Sequence, residues 1–105
     1  MVNEPVKMEW LEKFNKVFES KIRLGLMSVL VVNDALSFNE LKELLQLTDG
    51  NLASHLKALE ETKYIEFQKQ FLGRKPLTTY KATEAGHKAF TDHLQVLENM
   101  IRQNL

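Results

Sequence analysis

Residues 36–58 read LSFNELKELLQLTDGNLASHLKA, and the apolar spacing inside this run decides the fold. Leu41, Leu44 and Leu45 share one side of a helix of about two turns, with Asn39 as its N-cap and Glu40 in the first turn, where a carboxylate meets the positive end of the helix dipole. Gln46 and Leu47 make a tight turn. Thr48 or Asp49 then caps a second helix, in which Leu52, Leu56 and Leu59 stand at i, i+4 and i+7 and predict one buried stripe running to about Thr62.

Upstream, residues 6–18 place Val6, Trp10, Phe14, Val17 and Phe18 at helical spacing opposite Glu9, Glu12, Lys13 and Lys16, which predicts an amphipathic N-terminal helix with a large aromatic face. Residues 20–32 predict a further helix, with Ile22, Leu26, Met27 and Leu30 on one face and Asn33 with Asp34 as its stop. Gly25 inside that helix costs about 1 kcal/mol against alanine, so close approach of another backbone is its expected benefit. Residues 35–38 read as a short extended piece.

Downstream, residues 64–71 alternate Ile65 and Phe67 with Glu66 and Gln68, the period of a half-buried strand. Its hairpin partner is residues 78–82, with Gly73 and Pro76 interrupting the connection. Thr83 then caps a long helix to about Asn104, whose Phe90, Leu94, Leu97 and Ile101 repeat at coiled-coil spacing. The order is helix, helix, short strand, helix, turn, helix, hairpin, helix. That is a mainly α (α+β) fold, a winged helix-turn-helix with N-terminal and long C-terminal helices.

The chain has 105 residues, the size of one domain, so residues 1–19 form an N-terminal helix, 20–82 the core and 83–105 a C-terminal helix of a single unit. Apolar residues make up 44% and charged residues 27%, the balance of a folded globular chain. Fourteen basic residues offset fourteen acidic ones, so affinity for a polyanion has to come from a local patch. There is no cysteine, which excludes disulfides, thiolate metal sites and cysteine nucleophiles. Residues 1–10 lack an apolar signal region and the longest apolar stretch, residues 26–32, is far short of the roughly 20 residues a membrane span needs, so the expected location is the cytoplasm.

Two stretches carry a more specific likeness. The run from Leu36 to Ala58 and the run GRKPLTTYKATEAG from Gly73 to Gly86 resemble the small single-domain winged helix-turn-helix transcriptional regulators of the MarR/ArsR-like type, whose wing has the form G-R-x-P-x-T-x-Y followed by T-E-x-G. With the strand between them they span roughly half the chain. The resemblance implies a bacterial or archaeal DNA-binding regulator in which the helix starting near Thr48 enters the major groove of a duplex.

The inward leucines then fix the outward face, which presents Thr48, Asp49, Gly50, Asn51, Ser54 and Lys57, with Ala53 and Ala58 beside them. Asn51 suits adenine, Ser54 a base or phosphate, and Lys57 a phosphate, whereas Asp49 can accept from cytosine but reads better as the helix cap. Between Lys63 and Lys81 stand five basic residues, Lys63, Lys69, Arg74, Lys75 and Lys81, against Glu66 alone. Gly73 permits the tight turn, and Lys69, Arg74 and Lys75 are placed to follow the phosphate backbone, with Arg74 able to enter a narrow minor groove.

The remaining features have structural readings beside functional ones. His55 matches a histidine common in the resembling families and reads as a packed, hydrogen-bonded residue. His87 and His93, six apart, do not share a helix face, so no metal site is expected, and no cofactor either. The stripes carrying Trp10, Phe14, Phe90, Leu94, Leu97 and Ile101 either complete the core or form a homodimer interface, and the length of the last helix favours the dimer. The resemblance leaves room for an unidentified small-molecule effector between the terminal helices and the winged helix. No phosphate loop, nucleophile motif or clustered ligand set indicates an enzyme. The rival reading is a winged helix that binds protein instead of double-stranded DNA.

Overall fold

A computed structural model describes residues 11–103. In chain order it contains a 3-10 turn at Lys16–Glu19, α1 (Lys21–Leu30), β1 (Leu36–Ser37), α2 (Phe38–Leu45), α3 (Asp49–Glu61), β2 (Ile65–Leu72), β3 (Lys75–Ala82) and α4 (Glu84–Gln103). The strands form one antiparallel sheet in the order β1-β3-β2, with Leu36 opposite Tyr80 and Ile65 opposite Ala82. This is the α+β winged helix that the sequence predicts.

The leucine stripes explain the assembly. Leu26, Met27 and Leu30 of α1, Leu41 of α2 and Leu52, Leu56 and Leu59 of α3 are fully buried, and Phe18, Leu36 and Ile65 close the cluster. Each such side chain contributes about 1.5 to 3 kcal/mol when removed from water, so turning any one stripe outward would forfeit several of these contributions together. The rotation of α3 is therefore set by its buried face.

Local chemistry sets the helix ends, and in one case it differs from expectation. Ser37, not Asn39, caps α2: its hydroxyl accepts from the Glu40 N–H at 3.1 Å, while the Glu40 carboxylate accepts from the Ser37 N–H at 2.9 Å. This reciprocal pair satisfies two otherwise orphan donors, which a cap at Asn39 could not. Gln46 ends the helix in the left-handed region, φ 53°, and Leu47 N–H donates to the Lys42 carbonyl at 3.1 Å.

The expected N-terminal helix lies partly outside the described residues, as does Trp10. Its described end does not run through to Phe18. Helical backbone stops after Glu12. Asn15 starts a new turn, its side-chain oxygen accepting from the Val17 N–H at 2.9 Å. An asparagine that captures backbone donors offers the chain an alternative to continuing the helix.

The hairpin also differs. Its turn is only Gly73 and Arg74, with Gly73 at φ 68°, so β3 begins at Lys75 and Pro76 lies within it, opposite Phe71. A two-residue turn makes Leu72 and Lys75 the hydrogen-bonded pair, so Phe71 and Pro76 form the next, non-hydrogen-bonded pair and the missing N–H of Pro76 removes no bond to β2. β1 pairs only with residues 79 and 80, so that edge is open at Pro76. The strand expected to be half-buried is buried only at Ile65, because the ribbon projects past the core.

Two glycines separate in role. A Cβ on Gly25 would meet the Leu45 side chain at 3.6 Å, ordinary contact and not the backbone approach expected there. That approach occurs at Gly86, where a Cβ would fall on the Tyr64 carbonyl. Thr83 fixes the same junction: its N–H donates to the Tyr64 carbonyl at 3.0 Å, and its hydroxyl donates to the Lys63 carbonyl at 2.7 Å and accepts from the Gly86 N–H at 3.0 Å. The T-E-A-G stretch thus fastens the first turn of α4 to the root of the wing.

Candidate nucleic-acid interface

With Leu52, Leu56 and Leu59 inward, the opposite face of α3 is open. Gly50, Asn51, Ala53, Ser54 and Lys57 are exposed, and Ala58 is half-buried. Thr48 is the cap, its hydroxyl accepting from the Asn51 N–H at 3.2 Å. Asp49 therefore does not cap. Its carboxylate instead meets Lys42 at 2.7 Å, bridging the turn between α2 and α3. Both partners are substantially exposed, so the pair is worth at most about 1 kcal/mol, but it engages the Asp49 charge locally.

His55 is half-buried on the side of α3 facing α1, with its Nδ1 3.3 Å from the Arg23 guanidinium. Arg23 also donates through Nε to the Val17 carbonyl at 2.7 Å. One guanidinium thus joins the 3-10 turn, α1 and α3. His55 helps hold α3 against α1, in keeping with its reading as a packed, hydrogen-bonded residue. No local sequence pattern marks Arg23, because its partner lies 32 positions away.

The wing's charge is more concentrated than its composition indicates. Lys81 faces Glu66 across the ladder and pairs with it at 3.4 Å. Ion pairs among the described residues engage Lys42, Lys81, Lys88 and Arg102, and none engages Lys57, Lys69, Arg74 or Lys75. These four cations are solvent-exposed. An open groove lined by Lys57, Glu60, Glu61, Ile65, Glu66 and Phe67 joins the C-terminal part of α3 to the wing's root, so the two elements border one surface. On β3, burial and then the Glu60 charge raise the Tyr80 phenol above its ordinary value, which keeps it neutral.

The terminal stripe divides into inner and outer parts. Phe90 packs on the core with its ring edge-on to Phe18 at 5.9 Å, and half-buried Phe14 lies edge-on to His93 at 5.5 Å. Leu94 and Ile101 remain 44% and 62% exposed, with Leu97 half-buried between them. His93 is buried against Phe14 and Phe18, and its Nδ1 accepts the Asn15 N–H at 3.3 Å. Asn15 also donates through its side chain to the Tyr64 hydroxyl at 3.0 Å. Burial lowers the His93 pKa below its ordinary value. His87 is exposed, and among the described residues no cluster of three or more histidines and carboxylates is arranged to hold a metal. No helix among them is long and apolar enough to cross a membrane.

A helix-turn-helix whose second helix shows a polar outer face beside a cationic hairpin is the architecture of a winged-helix nucleic-acid-binding domain. The chain belongs to the winged helix DNA-binding domain family, whose model matches residues 22–101. It is 39% identical to an uncharacterized protein of Methanocaldococcus jannaschii over 79 residues, which is 75% of this chain and 86% of that one. The structure is similar to a transcriptional regulator homologue protein from Pyrococcus horikoshii, with a TM-score of 0.76, 28% identity and coverage of 90% of this chain and 96% of the other. At the level of fold it is also similar to the Staphylococcus aureus MepR–DNA complex, with a TM-score of 0.75, 17% identity and coverage of 96% and 82%. The chain is a winged-helix homologue of transcriptional regulators, as the resemblance read from residues 36–58 and 73–86 implied.

Proposed function

We propose that the protein is a homodimeric transcriptional regulator, acting in the cytoplasm on an inverted-repeat duplex site. α3 lies in the major groove, presenting Gly50, Asn51, Ser54 and Lys57, while Thr48 and Asp49 hold the helix start near the phosphates. Asn51 reads a base edge, Ser54 reads a base or phosphate, and Lys57 contacts the backbone. Gly73 shapes the turn that carries Arg74 and Lys75, and these with Lys69 follow the phosphates or enter the minor groove. Dimerisation uses Leu94, Leu97 and Ile101 together with the aromatic N-terminal segment, and it sets two copies of α3 about 34 Å apart, one turn of duplex.

The observation that supports this reading most strongly is that α3's polar face is uncovered and that Lys57 on α3 and Lys69, Arg74 and Lys75 on the wing are exposed and free of ion pairs, on two elements that meet at the groove Lys57 lines. In a chain with no net charge, that local surplus is what a polyanion would meet. The test is the salt dependence of duplex binding. Replacing Arg74 and Lys75 with alanine removes two phosphate contacts and lowers the logarithmic salt slope by about 1.8. An unchanged slope refutes the reading. Leu94→Glu with Ile101→Glu should convert a sedimenting dimer to a folded monomer, since neither side chain belongs to the domain's own core.

A further inference from the structure

The wing tip exposes large apolar side chains that the domain leaves uncovered. Phe71 and Leu72 are 74% and 73% exposed, and Phe67, nearer the root, is 52% exposed. Strand alternation places Phe67, Lys69 and Phe71 on one face of the ribbon, with Tyr80, Thr78 and Pro76 opposite them in register. That face therefore reads aromatic, basic, aromatic from root to tip. Its outer end is a plate formed by Phe71 and Pro76, a non-hydrogen-bonded pair in which side chains stand closest. Arg74 lies in the turn just beyond the plate, while Lys75, paired with Leu72, stands on the ribbon's other face.

An apolar plate rimmed by cations matches one partner chemistry well. The minor groove of a duplex has phosphates along its rims and apolar sugar walls within, and apolar side chains wedged there unstack and kink base steps. Lys69 and Phe71 are two residues apart, about 7 Å along the strand, close to the groove's width of about 6 Å. With Phe71 inside the groove, Lys69 reaches one rim while Arg74, in the turn, reaches the other. No carboxylate from the wing's outer half opposes this: the strand's Glu66 lies at the root and is paired with Lys81.

We infer that Phe71, backed by Pro76, is a minor-groove wedge, so that the wing reads the deformability of the base steps flanking the major-groove site. The inference rests on the proposed binding mode and adds a specificity determinant to it. Easily unstacked pyrimidine–purine steps would be preferred in the flanks, at positions where no side chain makes a base-edge hydrogen bond.

The probe is a duplex of about 30 base pairs, three turns, recovered from a random pool by binding the full chain, with 2-aminopurine placed in the flank of each half-site. Wild-type protein should brighten the probe, which becomes fluorescent when unstacked. Phe71→Ala should bind about tenfold more weakly, leave the probe dark and keep the salt slope of the parent, because no charge is removed. Phe71→Leu, a shorter apolar wedge, should restore much of both signals. Parental affinity in Phe71→Ala with a dark wild-type probe overturns the wedge while leaving the binding mode standing. A wild-type chain that recovers no duplex overturns the binding mode, and the wedge with it. Sedimentation of Phe71→Ala as a smaller species than the parent would instead assign the plate to a second copy of the chain and overturn the inference. The wild-type fluorescence is independent of how any variant folds.

Discussion

Replacing Gly86 with alanine tests the junction that aims the wing. Its Cβ would land on the Tyr64 carbonyl, a backbone atom that cannot rotate away and that already accepts the Thr83 N–H at 3.0 Å. The Met27 methyl, 3.1 Å from the same position, closes another route. α4 must therefore lift, straining its packing by about 1 to 3 kcal/mol and weakening the Thr83 hydrogen bonds to Lys63 and Tyr64, each worth about 1 kcal/mol. Alanine's better helix propensity returns about 1 kcal/mol. The net loss is about 2 to 4 kcal/mol, a fall in Tm of roughly 10 to 25 °C for a domain of this size. Gly50→Ala supplies the control: it makes the same chemical change in a helix, but its Cβ meets nothing within 4 Å. It should leave Tm unchanged or raise it by a few degrees. Thermal unfolding followed by circular dichroism measures both, and a Gly86→Ala protein that melts with or above the parent refutes the close approach.

Two further predictions concern local chemistry. Burial depresses the folded-state pKa of His93 below its ordinary 6.5, so folding should be most stable above that pH and should lose stability as pH falls through 6.5 and then through the folded value. The contribution of this one group cannot exceed about 1.4 kcal/mol per pH unit, and denaturant titrations of the parent and His93→Gln should diverge in pH slope only on the acid side. Parallel slopes would mean that His93 is not held neutral. Ser37→Ala should destabilise by about 1 kcal/mol through loss of the capping box, whereas Asn39→Ala should change little; the reverse ranking in urea titrations would restore Asn39 as the cap.

The elements were legible wherever one periodicity dominated. The i, i+4, i+7 leucines of α3 predicted its buried face, and hence its exposed one, because a helix with a single stripe has one way to turn. The hairpin's position was legible from Gly73, but its length was not: Pro76 reads as a breaker until register shows that its missing N–H faces an open edge. Taking Phe38 as part of the extended piece puts the cap at Asn39, whereas the S-x-x-E spacing of residues 37–40 is the signal that points to Ser37. The junctions were the least legible part. The Arg23–His55 contact, the His93–Asn15–Tyr64 group and the seat of Gly86 on Tyr64 each join residues far apart in the chain, and local propensity carries no information about such pairs. Within the candidate site, charge counting marked the wing as basic but could not separate Lys81, paired with Glu66, from Lys69, Arg74 and Lys75.

The central claim is that α3's polar face and the wing meet a duplex as one surface. The most direct measurement is a titration of isotope-labelled protein with a selected duplex, followed by amide chemical shifts. The account predicts that amides of Asn51, Ser54 and Lys57 and those of Gly73, Arg74 and Lys75 move together at the same duplex concentrations, while those around exposed Val32 and Leu44 stay still. Shifts confined to the far side of the domain, with α3 and the wing unmoved at saturation, would contradict it.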